Sequence, residues 1–196
     1  RTAEMFNELF SGQKAIIVAD DNTWRVAGAD AQRSLDEAGI VSYPAFVFPS
    51  EDFYAEWKHI ETLKAHLEPL DAIAIAVGSG VINDTVKYVS FLLGRKYMCV
   101  GTAASMDGFT AYGSSITKDG NKQTFDCPAP FGFVLDSAIA AEAPKELAAS
   151  GYADLIAKIP AAADWMIADA VGSEKIDDFA WGLVQDGLKE ALADPA

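Results

Sequence analysis

Residues 72–88 read AIAIAVGSGVINDTVKY. An apolar run, Ala72–Val77, ends in Gly78-Ser79-Gly80, and a helix-like pattern begins at once. A short, continuous apolar run with β-branched residues suits a strand buried on both faces. Glycines let the chain turn sharply and bring the backbone close to a ligand, while the unpaired amides of a new helix face an anion. The stretch therefore predicts a strand–turn–helix unit whose turn holds a phosphate. Asn83 stands where the last glycine of GxGxxG would be, so this is not the standard dinucleotide fingerprint. A tight turn with no ligand is the competing reading.

The same alternation extends outward in both directions. RTAEMFNELFSGQK predicts an amphipathic helix, not a secretion signal. Ala15–Ala19 (AIIVA) precedes DDNTWRVAG and a helix near Ala29–Ala38. Ala45–Phe48 precedes a helix over Asp52–Leu67, and Val81–Leu93 is helical before the strand Tyr97–Val100. Strands alternating with helices predict a doubly wound, Rossmann-like parallel sheet. The Gly-, Ser-, Thr- and Lys-rich stretch Thr110–Asp126 predicts an exposed hairpin or loop turning at Asp119-Gly120, and Phe131–Leu135 one further strand.

From Pro144 the pattern is helical. Ser150 predicts a cap for a helix over Gly151–Ala170, kinked at Pro160. A second helix is expected over Glu174–Ala193, with Ile176, Phe179, Leu183, Leu188 and Leu192 on one face. Two helices bury such a stripe poorly, and the sequence stops in ADPA. The expected organisation is a nucleotide-binding domain over 1–143, followed over 144–196 by the opening of a larger, truncated helical domain. The uncovered stripe leaves association with a second copy as a homo-oligomer open.

Composition narrows the function classes. The 196 residues carry 15 basic and 29 acidic side chains, a net charge of −14. That field repels nucleic acid. No window reaches the roughly 18 apolar residues of a membrane helix. Cys99 and Cys127 have no metal-type spacing, which fits a reducing, cytoplasmic setting with no disulfide scaffold. His59 and His66 read as surface residues, because no carboxylate or cysteine cluster accompanies them.

Two further strings could carry chemistry. GTAASMDGFTA (101–111) follows a strand, where the loops of an open α/β sheet line a ligand crevice. Thr102 and Ser105 offer hydroxyls and Asp107 a carboxylate, although Asp107-Gly108 is also a common turn. In SGYADLIAK (150–158), Asp154 and Lys158 are four apart on a helix, the spacing of an exposed ion pair.

Taken with VADDNTWRVAG, GSGVINDTVKYVSF, GTAASMDGFTAYGSSI and SGYADLIAKIPAAADW, the chain resembles the iron-type alcohol dehydrogenase and dehydroquinate synthase superfamily. It looks most like the sn-glycerol-1-phosphate dehydrogenase branch. Thr102 follows Asp84 by 18 residues and precedes Asp154 by 52, the spacing expected there. The resemblance implies that Gly80, Val81, Ile82, Asn83 and Asp84, with Gly78 and Ser79 in the turn, line the phosphates of NAD or NADP. Thr102 and Ser105 would be further cofactor contacts. Asp107 matches a polyol-binding aspartate. Asp154 matches a catalytic ligand to a divalent metal (zinc, nickel or iron) that also meets substrate, its two histidine partners falling beyond residue 196. Gly101 and Ala111 depart from the proline and serine usual in that branch. The implied reaction is hydride transfer between the cofactor and glycerol 1-phosphate or dihydroxyacetone phosphate. Glycerol or another polyol, or a catalytically inactive nucleotide-binding module, are the alternatives.

Overall fold

Five short apolar runs hydrogen-bond into one parallel sheet. In the computed structural model, which describes residues 1–193, they are β1 (Ala15–Asp20), β2 (Phe46–Phe48), β3 (Ile73–Gly78), β4 (Tyr97–Gly101) and β7 (Gly132–Leu135). The order across the sheet is β2-β1-β3-β4-β7, with every pair parallel. Strands β1, β3 and β4 are buried almost throughout, as continuous apolar runs require. The chain leaves β1 to one side for β2 and to the other for β3. Between β1 and β3 lies the switch point at whose carboxyl edge open sheets bind ligands.

Helices join the strands: α1 (Thr2–Phe10), α3 (Ala29–Glu37), α4 (Trp57–Leu67) and α5 (Gly80–Leu92). A short α2 (Asp21–Thr23) and a π-helical turn (Trp24–Gly28) run into α3. One face of the sheet packs Phe6, Phe10, Ile17, Leu35, Ile75 and Met98 into a core. The polar stretch after β4 forms the antiparallel hairpin β5 (Ser114–Lys118) and β6 (Asn121–Phe125). It is not wholly exposed, because Ser114 and Ile116 are buried. The helix expected from Asp52 starts only at Trp57. Asp52 has φ +54°, a left-handed value that no helix continues through.

After Pro144 the helices differ from the sequence expectation. Helix α7 (Lys145–Ile156), which follows a short α6 (Ser137–Glu142), begins five residues before Ser150, which lies inside it. The break falls at Ala157, and Pro160 sits in the first turn of α8 (Lys158–Ala170). Proline needs no amide partner in a first turn, so the chain restarts ahead of it where a kink was expected. The second helix divides into α9 (Asp178–Gln185) and α10 (Leu188–Ala193) at Gly187, whose φ is +77°. Asp177 caps α9 by accepting from the Ala180 amide at 2.8 Å. The closing residues 194–196 lie outside the described residues. Two compact units result, one of residues 1–104 and 108–143, the other of residues 105–107 and 144–196.

Candidate functional site

The glycine turn stands at the carboxyl end of β3. Gly78 pairs with Gly101 of β4, so both strand ends reach the sheet edge together. The Thr102 amide donates to the Gly78 carbonyl at 3.2 Å, tying the two exits. The two glycines serve different needs. A Cβ on Gly78 would fall 2.8 Å from Cβ of Ile82, so Gly78 lets the first turn of α5 press onto the strand. Gly80 opens α5 with no left-handed backbone angle. Ser79, Gly80 and Val81 are partly exposed, and among the described residues no side chain caps α5. Its first amides are therefore left without a side-chain partner of that kind, the arrangement in which a helix start can receive an anion.

The remaining residues of the string lie elsewhere than at the turn's surface. Ile82 is buried against Gly78. Asn83 is fully buried, donating through Nδ2 to the Phe109 carbonyl (3.2 Å) and accepting from the Tyr97 hydroxyl (3.0 Å). The Asp84 carboxylate accepts from the Ser115 amide at 3.2 Å, and burial pushes its pKa up. The side chains of 82–84 are thus engaged within the protein. Thr102 is buried beside the turn.

At the end of β1 the structure adds residues that sequence reasoning did not single out. Asp20 accepts from the amides of Asn22 (2.8 Å) and Thr23 (2.9 Å), and Thr23 Oγ1 accepts from the Asp20 amide, closing a capping box. Asp21 accepts from the Ser50 amide at 3.1 Å. These carboxylates flank the switch point opposite the glycine turn. The signal was present in VADDNT, an acidic pair directly after a buried strand.

In the second unit, Asp154 Oδ2 accepts from the Asp107 amide at 3.0 Å. That bond lowers the Asp154 pKa, and the nearby charge of Lys158 lowers it further. Lys158 pairs with Asp107, Nζ to Oδ2 at 2.5 Å, and not with Asp154 as its helical spacing suggested. Two carboxylates and one ammonium therefore converge from α7, α8 and the 105–107 segment, where Ser105 also lies. Among the described residues no group of three or more His, Cys, Asp or Glu side chains could hold a metal ion. Asp107 and Asp154 by themselves therefore do not make a metal site.

Three further polar side chains are placed by aromatic rings of the sheet unit. Lys118 places its ammonium 3.7 Å from the centre of the Trp57 ring. His66 is exposed on Phe46, whereas His59 is half-buried. It packs edge-on against Phe48 and Phe53, and burial lowers its pKa.

A family model described as iron-containing alcohol dehydrogenase matches residues 1–144. The chain is 31% identical over 184 residues to the glycerol-1-phosphate dehydrogenase [NAD(P)+] of Bacillus subtilis (strain 168), covering 93% of this chain and 47% of that protein. It is 34% identical over 176 residues to the protein of that name from Methanoculleus marisnigri, covering 88% and 46%. It spans about half the length of the curated relatives it matches. Among solved structures, maleylacetate reductase from Rhizobium sp. strain MTP-10005 superposes with a TM-score of 0.70 at 15% identity, covering 98% of this chain and 53% of that one. No helix among the described residues is long and apolar enough to cross a membrane. The family match over most of the chain, together with the parallel sheet and its glycine turn, leads to one conclusion: the chain belongs to the iron-containing alcohol dehydrogenase family.

Proposed function

We propose that this chain is the nucleotide-binding part of an NAD(P)-dependent, metal-dependent dehydrogenase that interconverts glycerol 1-phosphate and dihydroxyacetone phosphate. The observation that carries the reading is the uncapped amino end of α5, set by Gly78–Gly80 at the switch point of the sheet. The donor set fits a pyrophosphate, being backbone amides and a helix dipole with the space of a glycine before them. Thr102 adds a hydroxyl donor beside the turn. A bound nicotinamide dinucleotide supplies or accepts the hydride. The residues of this chain bind and orient.

Asp107 orients the substrate hydroxyls as a hydrogen-bond acceptor. Asp154 contributes one carboxylate to a metal whose other ligands lie outside the described residues. The described set does not make a metal site by itself, so no catalytic step is assigned to one. Residues 144–196 are the opening of the domain that carries substrate and metal. The B. subtilis and M. marisnigri relatives, named for glycerol 1-phosphate, support the phosphorylated substrate over free glycerol.

The test uses the intact protein. Binding of NADH and NADPH is titrated by fluorescence, and turnover of glycerol 1-phosphate is compared with that of glycerol. A clear preference for the phosphorylated substrate is expected. Preference for glycerol would move the reading to a polyol dehydrogenase, and dinucleotide binding without turnover of either would leave a binding module.

A further inference from the structure

Helix α5 does more than open at the glycine turn. Asn83 and Lys87 lie one turn apart on the same helical face, and both are buried, Lys87 at 1% exposure. Lys87 Nζ donates to the carbonyls of Ala111 (3.0 Å) and Gly113 (3.1 Å) and lies 3.8 Å from Asp84 Oδ1. Asn83 holds the Phe109 carbonyl, and Asp84 takes the Ser115 amide. Residues 109, 111, 113 and 115 are thus gripped at alternate positions by one rigid helix. The segment so held begins two residues after Asp107.

Stability alone does not account for an ammonium at this place. Desolvating a charge costs several kcal/mol, and replacing a buried ion pair by apolar side chains is often neutral or favourable. What a lysine adds is reach and direction, since one ammonium fixes the carbonyls of both Ala111 and Gly113. We propose that Lys87 is a positioning residue that sets the path of the 109–115 segment leaving Asp107, and through it the substrate-orienting carboxylate. The inference rests on the reading of Asp107 given above. The amides proposed for the dinucleotide open α5, about two turns before Lys87, so dinucleotide affinity is expected to be independent of Lys87.

The segment carries its own reporter. The Gly113 amide donates to the Cys127 carbonyl at 2.8 Å, and Ser114 Oγ lies 3.2 Å from Cys127 Sγ, which is fully buried. Cys99, equally buried, sits in β4 away from these contacts. Releasing the segment should expose Cys127 and leave Cys99 protected.

The experiment compares the intact parent enzyme with Lys87→Met and Lys87→Gln. It measures dinucleotide affinity, turnover of glycerol 1-phosphate, and peptide-resolved alkylation of the two thiols by N-ethylmaleimide. Lys87→Met should lower kcat roughly ten- to a hundredfold, the scale of a misplacement of about 1 Å. Dinucleotide affinity should stay within about threefold, and Cys127 alone should label faster. Lys87→Gln, keeping one donor, should fall between parent and Lys87→Met. Unchanged kcat in a folded Lys87→Met overturns the proposal whatever its melting temperature, as does equal labelling of both cysteines. Failure of both variants to fold also overturns it, making Lys87 a folding residue. If the parent itself does not turn over glycerol 1-phosphate, the functional reading has failed. Selective Cys127 labelling would then still uphold the positioning role, and no change in labelling would end it.

Discussion

The sheet unit and the helical unit treat their apolar residues in opposite ways. In the sheet unit Ile75, Val77, Val86 and Val89 are removed from solvent altogether, sandwiched between strands and helices. Among the described residues of the helical unit Leu188 is the buried apolar one, while Phe179 and Leu183 of α9 stand 76% and 69% exposed. The first unit has a core of its own, and the second presents a stripe that its described residues do not cover. The candidate chemistry divides along the same line. The glycine turn is built on a packed strand and helix, whereas Asp154 lies on helices with little interior.

The largest test of this contrast is on stability. Ile75→Ala empties a site at the centre of the sheet and should cost about 2–5 kcal/mol, read from denaturant unfolding. Phe179→Ala should stay within about 0.5 kcal/mol, as an exposed truncation does. A comparable loss at Phe179 would break the comparison by showing that something covers α9.

The second test separates two glycines six ångströms or so of chain apart. Gly80→Val should abolish measurable dinucleotide binding in a folded protein, because its side chain fills the space before the α5 amides. Gly78→Ala should instead lower the melting temperature, since its Cβ meets Ile82 at 2.8 Å. Equal affinity in folded Gly80→Val would remove the turn from the site. The third test is Asp107→Ala in the intact enzyme. Loss of one charge-assisted hydrogen bond is worth roughly 1.5–3 kcal/mol, or about one to two decades in kcat/KM. Dinucleotide affinity should change little. A lower melting temperature at full activity would make Asp107-Gly108 a turn and nothing more.

Legibility in the sequence follows the same division. The runs Ala15–Ala19, Ala72–Val77 and Tyr97–Val100 announced a parallel sheet because strands buried on both faces must be apolar throughout, and each is a strand. The glycine turn was legible for the same reason. The helices after Pro144 were legible as helices but not in their ends, because Pro160 and Gly187 permit several breaks and packing chooses among them. The grip of Lys87 had no signature, since its partners are carbonyls, which every residue carries. Nor could spacing reveal that Lys158 pairs with Asp107, 51 positions away, in preference to Asp154 on the adjacent turn.

The smallest expected effect sharpens the comparison from inside the sheet unit, at His59. Its ring lies 5.5 Å from Phe48 and 5.0 Å from Phe53, edge-on to both, and its buried Nε2 has no hydrogen-bond partner. Burial disfavours the charged ring, and the neighbouring charge of Lys58 disfavours it further, so the folded pKa lies below 6.5. For a base with a depressed folded pKa, the unfolded chain binds the proton first as pH falls. The stability that neutral His59 contributes is therefore complete above pH 6.5 and is lost as pH drops from there through the lower folded value. His59→Phe keeps an aromatic edge in the cluster and removes the titration. Denaturant midpoints should then coincide for parent and variant in their pH slope above 6.5, and separate below it, with the parent falling faster. The size of the separation is modest because the ring is only partly buried. Parallel curves across the whole range would mean that His59 meets water in the folded state, and the aromatic cluster at the end of β2 would no longer count as interior.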